Sequence, residues 1–106
     1  MVDESTLSEV VRRLVDRFGP DRIILFGSQA RGTADARSDV DVLVVCPIPS
    51  SRRTLMVEMD RALGGLGIAR DVIVLSPEEY ERDRNIPGTV ARPAWLEGRT
   101  LYERPQ

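Results

Sequence analysis

Ile23-Ile24-Leu25-Phe26, Gly27-Ser28-Gln29-Ala30-Arg31-Gly32, a spacer over 33–37, Ser38-Asp39-Val40-Asp41 and Val42-Leu43-Val44-Val45 follow one another without a break. Two apolar runs joined through a glycine-bracketed stretch predict a strand, a tight turn with a short helical segment, and a second strand. Side chains alternate across a strand, so Asp39 and Asp41 share a face about 7 Å apart, while Val40, Val42 and Val44 face the other way. A backbone-lined turn able to approach a phosphate thus lies beside two parallel carboxylates able to hold a divalent cation. Handling a nucleoside triphosphate requires that combination.

Outward from this stretch, Leu7, Val10, Val11, Leu14, Val15 and Phe18 repeat at helical spacing. They predict a helix over 6–18, opened by a Thr6/Glu9 capping box and stopped by Gly19 and Pro20. Leu55, Met56, Met59, Ala62, Leu63 and Leu66 mark one face of a second long helix, ended by Gly64, Gly65 and Gly67. Asp71 opens the apolar run Val72 to Leu75, the pattern of a strand covered on both faces. Ser76-Pro77-Glu78-Glu79 reads as a capped helix start running to about Arg84. A further helical stretch is expected within 86–96, weakened by Pro93, and a short edge strand over Thr100–Tyr102. The order of elements predicts one α/β (α+β) domain over 1–106, a small mixed sheet flanked by helices.

Composition narrows the chemistry. The chain has 106 residues, no histidine, and 15 basic residues, all of them arginine. Histidine-based nucleophilic triads, histidine-bound zinc, Schiff-base lysines and a Walker-type phosphate loop are therefore outside its means. Carboxylate, hydroxyl and guanidinium chemistry remain. The net charge of −2, with arginines scattered among acids, disfavours a long nucleic acid as partner. The one cysteine, Cys46, follows an apolar strand and reads as a buried, inert thiol, which suits a reducing, cytoplasmic setting. No apolar stretch approaches the ~18 residues that span a bilayer, and the first residues lack the pattern of a secretory leader.

Asp71, on a strand beside the one carrying Asp39 and Asp41, brings a third carboxylate to the same end of the sheet. Like charges ~4 Å apart repel by about 4 kcal/mol at an effective dielectric near 20, so the group must hold a proton or a cation. An all-oxygen set favours Mg²⁺ or Mn²⁺. Gly27 lets the backbone pass close to a ligand, and Ser28 offers an N–H and a hydroxyl to phosphate oxygens. Arg31 either contacts phosphate or braces the turn against Asp35 or Asp39. Ser38 either assists there or is a hydrogen-bonding turn residue.

The pattern Gly27-Ser28 to Gly32, Ser38-Asp39-Val40-Asp41 and a later Asp71 resembles the minimal nucleotidyltransferase family of the DNA polymerase beta superfamily. The likeness runs from about residue 5 to the closing segment Glu97 to Glu103. It implies a polymerase-beta-like nucleotidyltransferase core in which Asp39 and Asp41 hold the metals. By the same resemblance, Asp71 completes one metal site and helps deprotonate the acceptor, and Gly27 and Ser28 hold the triphosphate of ATP; Arg31 and Ser38 are further candidates for nucleotide binding.

Larger relatives add a helical domain that presents the acceptor, whereas this sequence covers the catalytic core. The acceptor is therefore expected from another chain or a dimer mate. Minimal nucleotidyltransferases are commonly antitoxins of HEPN-domain ribonuclease toxins, which implies transfer of AMP from ATP to a toxin tyrosine. Two other readings stand beside it: a non-catalytic module that neutralises a partner by occlusion, and a dimeric enzyme acting on a small molecule. Val90, Ala91, Trp95 and Leu96 are expected to cover the sheet, with a partner surface as the competing reading.

Overall fold

The computed structural model describes residues 2–35 and 38–105. The elements are α1 (Glu4–Phe18), β1 (Arg22–Phe26), α2 (Ser28–Arg31), β2 (Val40–Val45), α3 (Arg52–Ala62), β3 (Arg70–Leu75), α4 (Pro77–Asp83), α5 (Ala91–Glu97) and β4 (Arg99–Glu103). The sheet has the order β3-β2-β1-β4. β1 is antiparallel to both β2 and β4, and β2 is parallel to β3. The parallel pair needs a crossover, and α3 supplies it. The expected mixed sheet is thus formed.

One face of the sheet is closed by two helices. Leu7, Val10 and Leu14 of α1, Met59 of α3 and Leu63 just after it pack on Ile23, Leu25, Val40, Val42, Val44, Val72 and Val74. Each such side chain contributes about 1.5–3 kcal/mol of apolar burial. Cys46 lies in this layer, and burial pushes its thiol up from the usual range. The opposite face carries a smaller cluster, in which Tyr80, Ala91 and Ala94 cover Ile24, Leu43 and Val45. Gly98 lets α5 and β4 come this close: a Cβ there would lie 2.2 Å from the Ala94 carbonyl oxygen and 2.6 Å from Ile24.

Several boundaries move from those expected, each for a local reason. α1 starts at Glu4 because Asp3, in extended backbone, accepts the Thr6 N–H at 2.8 Å. The Thr6/Glu9 capping box is not formed; Glu9 is taken by Arg12 and Arg13. α3 ends at Ala62, and Leu66 packs on the core from the following loop. Pro93 falls in the first turn of α5, where a missing N–H costs nothing, so that helix forms despite it. β3 is an edge strand whose Ile73 and Leu75 are only half-buried, rather than a strand covered on both faces. The Ser76 capping box forms as expected, with Ser76 accepting from the Glu79 N–H and Glu79 from the Ser76 N–H.

Candidate active site

The half-covered face is where the acidic residues gather. In the parallel register Asp41 stands directly beside Asp71, and in the antiparallel register it stands opposite Phe26, the residue before Gly27. Neighbouring strands lie about 5 Å apart, so the glycine turn and both carboxylates share one end of the sheet. Gly27 has φ 71° and ψ −155°, a conformation other residues avoid. A Cβ at this position would lie 2.3 Å from Asp41 Oδ2. Only a glycine lets β1 turn away against that carboxylate.

Burial first, then the neighbouring Asp71 and Asp39, push the Asp41 carboxyl up from its usual range; Arg31 partly offsets them. Asp39 and Asp71 themselves are exposed to solvent. The three acids are electrostatic neighbours. Among the described residues, however, no three acidic side chains are drawn into a closed ligand cage. Asp39 sits in the loop before β2, two residues ahead of Asp41. The donor set fits a hard divalent cation. Asp39, Asp41 and Asp71 would hold it, and its positive charge would relieve the repulsion that Asp41 experiences and polarise a bound phosphate.

Ser28 begins α2, so its N–H and that of Gln29 have no acceptor within the helix. The Gly27 carbonyl accepts the N–H groups of Ala30 and Arg31, both at 3.1 Å. Arg31 reaches Glu97 at the end of α5, 3.5 Å away and exposed. This ion pair ties α2 to α5. Ser38 behaves as a turn residue: its hydroxyl accepts the Asp35 N–H at 3.0 Å.

Sequence reasoning passed over Gln29. Its side chain is only 5% exposed. Its Oε1 accepts the Val2 N–H at 3.1 Å, and its Nε2 donates to the Ser38 carbonyl at 3.3 Å. It therefore holds the segment that leads into Asp39 against the glycine turn. A polar residue between Ser28 and Ala30 carries no spacing signal, and burial alone reveals its role. Of the C-terminal apolar residues, Ala91 and Ala94 cover the sheet, but Val90, Trp95 and Leu96 are 40%, 43% and 60% exposed. The expectation that this group simply covers the sheet therefore holds for Ala91 alone of the four residues named.

The profile of the nucleotidyltransferase domain matches residues 7–92, from α1 into α5, a span that includes Gly27, Ser28, Asp39, Asp41 and Asp71. The chain belongs to the nucleotidyltransferase domain family. A candidate protein adenylyltransferase of Methanocaldococcus jannaschii is 49% identical over 49 residues, which are 44% of this chain and 33% of that protein. The match thus spans a third of that relative's length. Among solved structures, a candidate nucleotidyltransferase from Sulfolobus solfataricus superposes with a TM-score of 0.64 at 24% identity, covering 92% of this chain and 78% of its own. A toxin-antitoxin with AMP-PNP gives 0.62 at 22% identity, covering 92% and 73%. A mutant of the toxin-antitoxin MntA-HpeT gives 0.64 at 20% identity with the same coverage. At these identities the likeness establishes a shared fold. Among the described residues no helix is long and apolar enough to cross a membrane.

Proposed function

We propose that this nucleotidyltransferase moves AMP from ATP to a hydroxyl of a partner protein, most simply a tyrosine of a HEPN-domain toxin, and so acts as an antitoxin. The observation that carries the reading is the register of Asp41 beside Asp71, with Gly27 backed against the Asp41 carboxylate. Gly27 and Ser28 receive the triphosphate, with Arg31 near its charge. Asp39, Asp41 and Asp71 would hold Mg²⁺, which would polarise the phosphate, and Asp71 also faces the incoming hydroxyl. The hydroxyl oxygen bonds to the α-phosphorus, the bond from that phosphorus to the bridging oxygen of the β-phosphate breaks, and pyrophosphate leaves. The hydroxyl proton passes to Asp71 and then to water. The adenylyltransferase relative and the toxin-antitoxin neighbours support this choice of acceptor. The buried Cys46 thiol suits a reducing cytoplasm.

The protein adenylyltransferase relative favours a protein acceptor over a small molecule. Incubation with ATP, Mg²⁺ and a HEPN protein encoded beside this chain is expected to add about 329 Da per event, one adenylyl group replacing a proton. An unmodified partner that still binds tightly would leave occlusion as the function.

A further inference from the structure

β3 is an edge strand, and its outer side lies open next to Asp71. The Val40 N–H donates to the Ala69 carbonyl at 2.9 Å, and the Cys46 N–H to the Leu75 carbonyl at 3.0 Å. Backbone groups alternate in direction along a strand, so the odd-numbered residues of β3 turn their N–H and C=O toward β2. Those of Arg70, Val72 and Val74 therefore point away from the sheet. The Val74 carbonyl is closed off by the Arg52 guanidinium at 2.7 Å, which Glu79 holds at 2.9 and 2.6 Å. At the other end the Arg70 guanidinium turns to Asp60 of α3, and among the described residues no α3 side chain bonds the backbone of Arg70 or Val72, on either side of Asp71.

Beside this end lies a groove of about 670 Å³ between α3 and β3. Met56, Val57 and Val72 give it an apolar floor, Arg53 and Arg61 a positive wall, and Asp71 stands at its mouth. Arg52 and Arg70 are paired with Glu79 and Asp60. Among the described residues Arg53 and Arg61 carry no ion pair, so the groove has positive charge to spare.

We propose that this edge receives an extended, acidic segment of the acceptor protein as a fifth strand, which sets the acceptor hydroxyl at Asp71. The proposal rests on the transferase reading and names where its second substrate binds. Strand addition supplies affinity through main-chain hydrogen bonds, and side pockets for alternate residues supply selectivity. The alternation of a strand separates two duties. The hydroxyl residue faces the side of the sheet that carries Asp41 and Asp71. Its two flanking residues turn to the α3 side, over Met56 and Val57 and within the field of Arg53 and Arg61. Acidic or aliphatic flanks fit there, and lysine or arginine flanks do not.

A pool of heptapeptides with central tyrosine and randomised neighbours, passed over the immobilised chain, tests this. Retained peptides are expected to favour Asp, Glu, Leu, Ile and Val over Lys and Arg at the flanking positions by about tenfold, consistent with two interfacial charges. The double variant R53E/R61E is expected to invert the charge preference. The best retained peptide is expected to slow amide hydrogen exchange at Arg70 and Val72, and its backbone N-methylated form is expected to lose that protection. No retention, no charge preference, a preference unchanged in R53E/R61E, or protection elsewhere than β3 overturns the proposal. The transferase reading is tested apart from it, by whether ATP with Mg²⁺ shifts the amide resonances of Gly27 and Ser28 in the unmodified chain.

Discussion

The two faces of the sheet are made by the same strands, yet they have different covers. Toward α1 and α3, alternate residues of β1, β2 and β3 are buried among leucine, valine and methionine. Toward α4 and α5, helices of seven residues each, the buried cover is Tyr80, Ala91 and Ala94, and at the far end Asp41 is half-buried and Asp71 exposed. Val40, Val42 and Val44 belong to the first face, and Asp41, Leu43 and Val45 to the second. A one-residue shift in β2 would exchange them and bury the carboxylate, so the site is held in place by the closed face. Stability and chemistry are thus divided between the two sides of one strand.

Leu14→Ala on the closed face is the severest test of that division. It is expected to cost about 3–5 kcal/mol in chemical denaturation, since Leu14 is fully buried and a cavity would remain. Asp41→Asn on the open face is expected to reverse the pattern. Transfer of labelled AMP falls by about a hundredfold or more, while Tm holds or rises because a carboxylate beside two others is removed. A comparable loss of Tm in Asp41→Asn would mean that the open face also holds the fold together. Gly98→Ala, at the junction of α5 and β4, is expected to cost about 1–3 kcal/mol through overpacking against Ala94 and Ile24.

Glu79→Gln should have the smallest effect, about 1 kcal/mol from the weakened cap of α4. The Arg52 guanidinium, followed by the Ser76 N–H, holds the Glu79 carboxyl down at about 2. A carboxylate with a lowered folded pKa stabilises the chain above its unfolded value near 4.5 and loses that contribution as the pH falls toward about 2. Urea midpoints across that window should drop in the parent chain and flatten in Glu79→Gln.

The strands, the glycine turn and the acidic spacing were legible because each is written locally: Gly27, Asp39 and Asp41 lie within fifteen residues. The pairing of Asp71 with Asp41 was also within reach, since an apolar strand after a helical crossover joins its predecessor in parallel. Contacts between distant residues were not. Arg31 meets Glu97 across 66 positions, and nothing near Arg31 announces it. Gln29 carries no local signal, because its role depends on the Val2 amide and the Ser38 carbonyl arriving at opposite ends of one side chain. α1 starts earlier than the Thr6/Glu9 pattern predicts, because Asp3 accepts the Thr6 N–H and Glu9 turns to the arginines. Trp95 and Leu96 read as core by type, but Ala91 and Ala94 occupy the inward side of α5.

The parallel pairing of β2 with β3 carries a temporal consequence. Asp41 and the glycine turn come together through a short antiparallel ribbon, whereas Asp71 reaches them only after α3 has docked and the chain has doubled back. Contacts of long sequence separation form late. Asp41 and the turn are joined across the spacer of a hairpin, whereas Asp71 is joined to Asp41 across the whole of α3. The third acid thus depends on a helical crossover that the first two do not need.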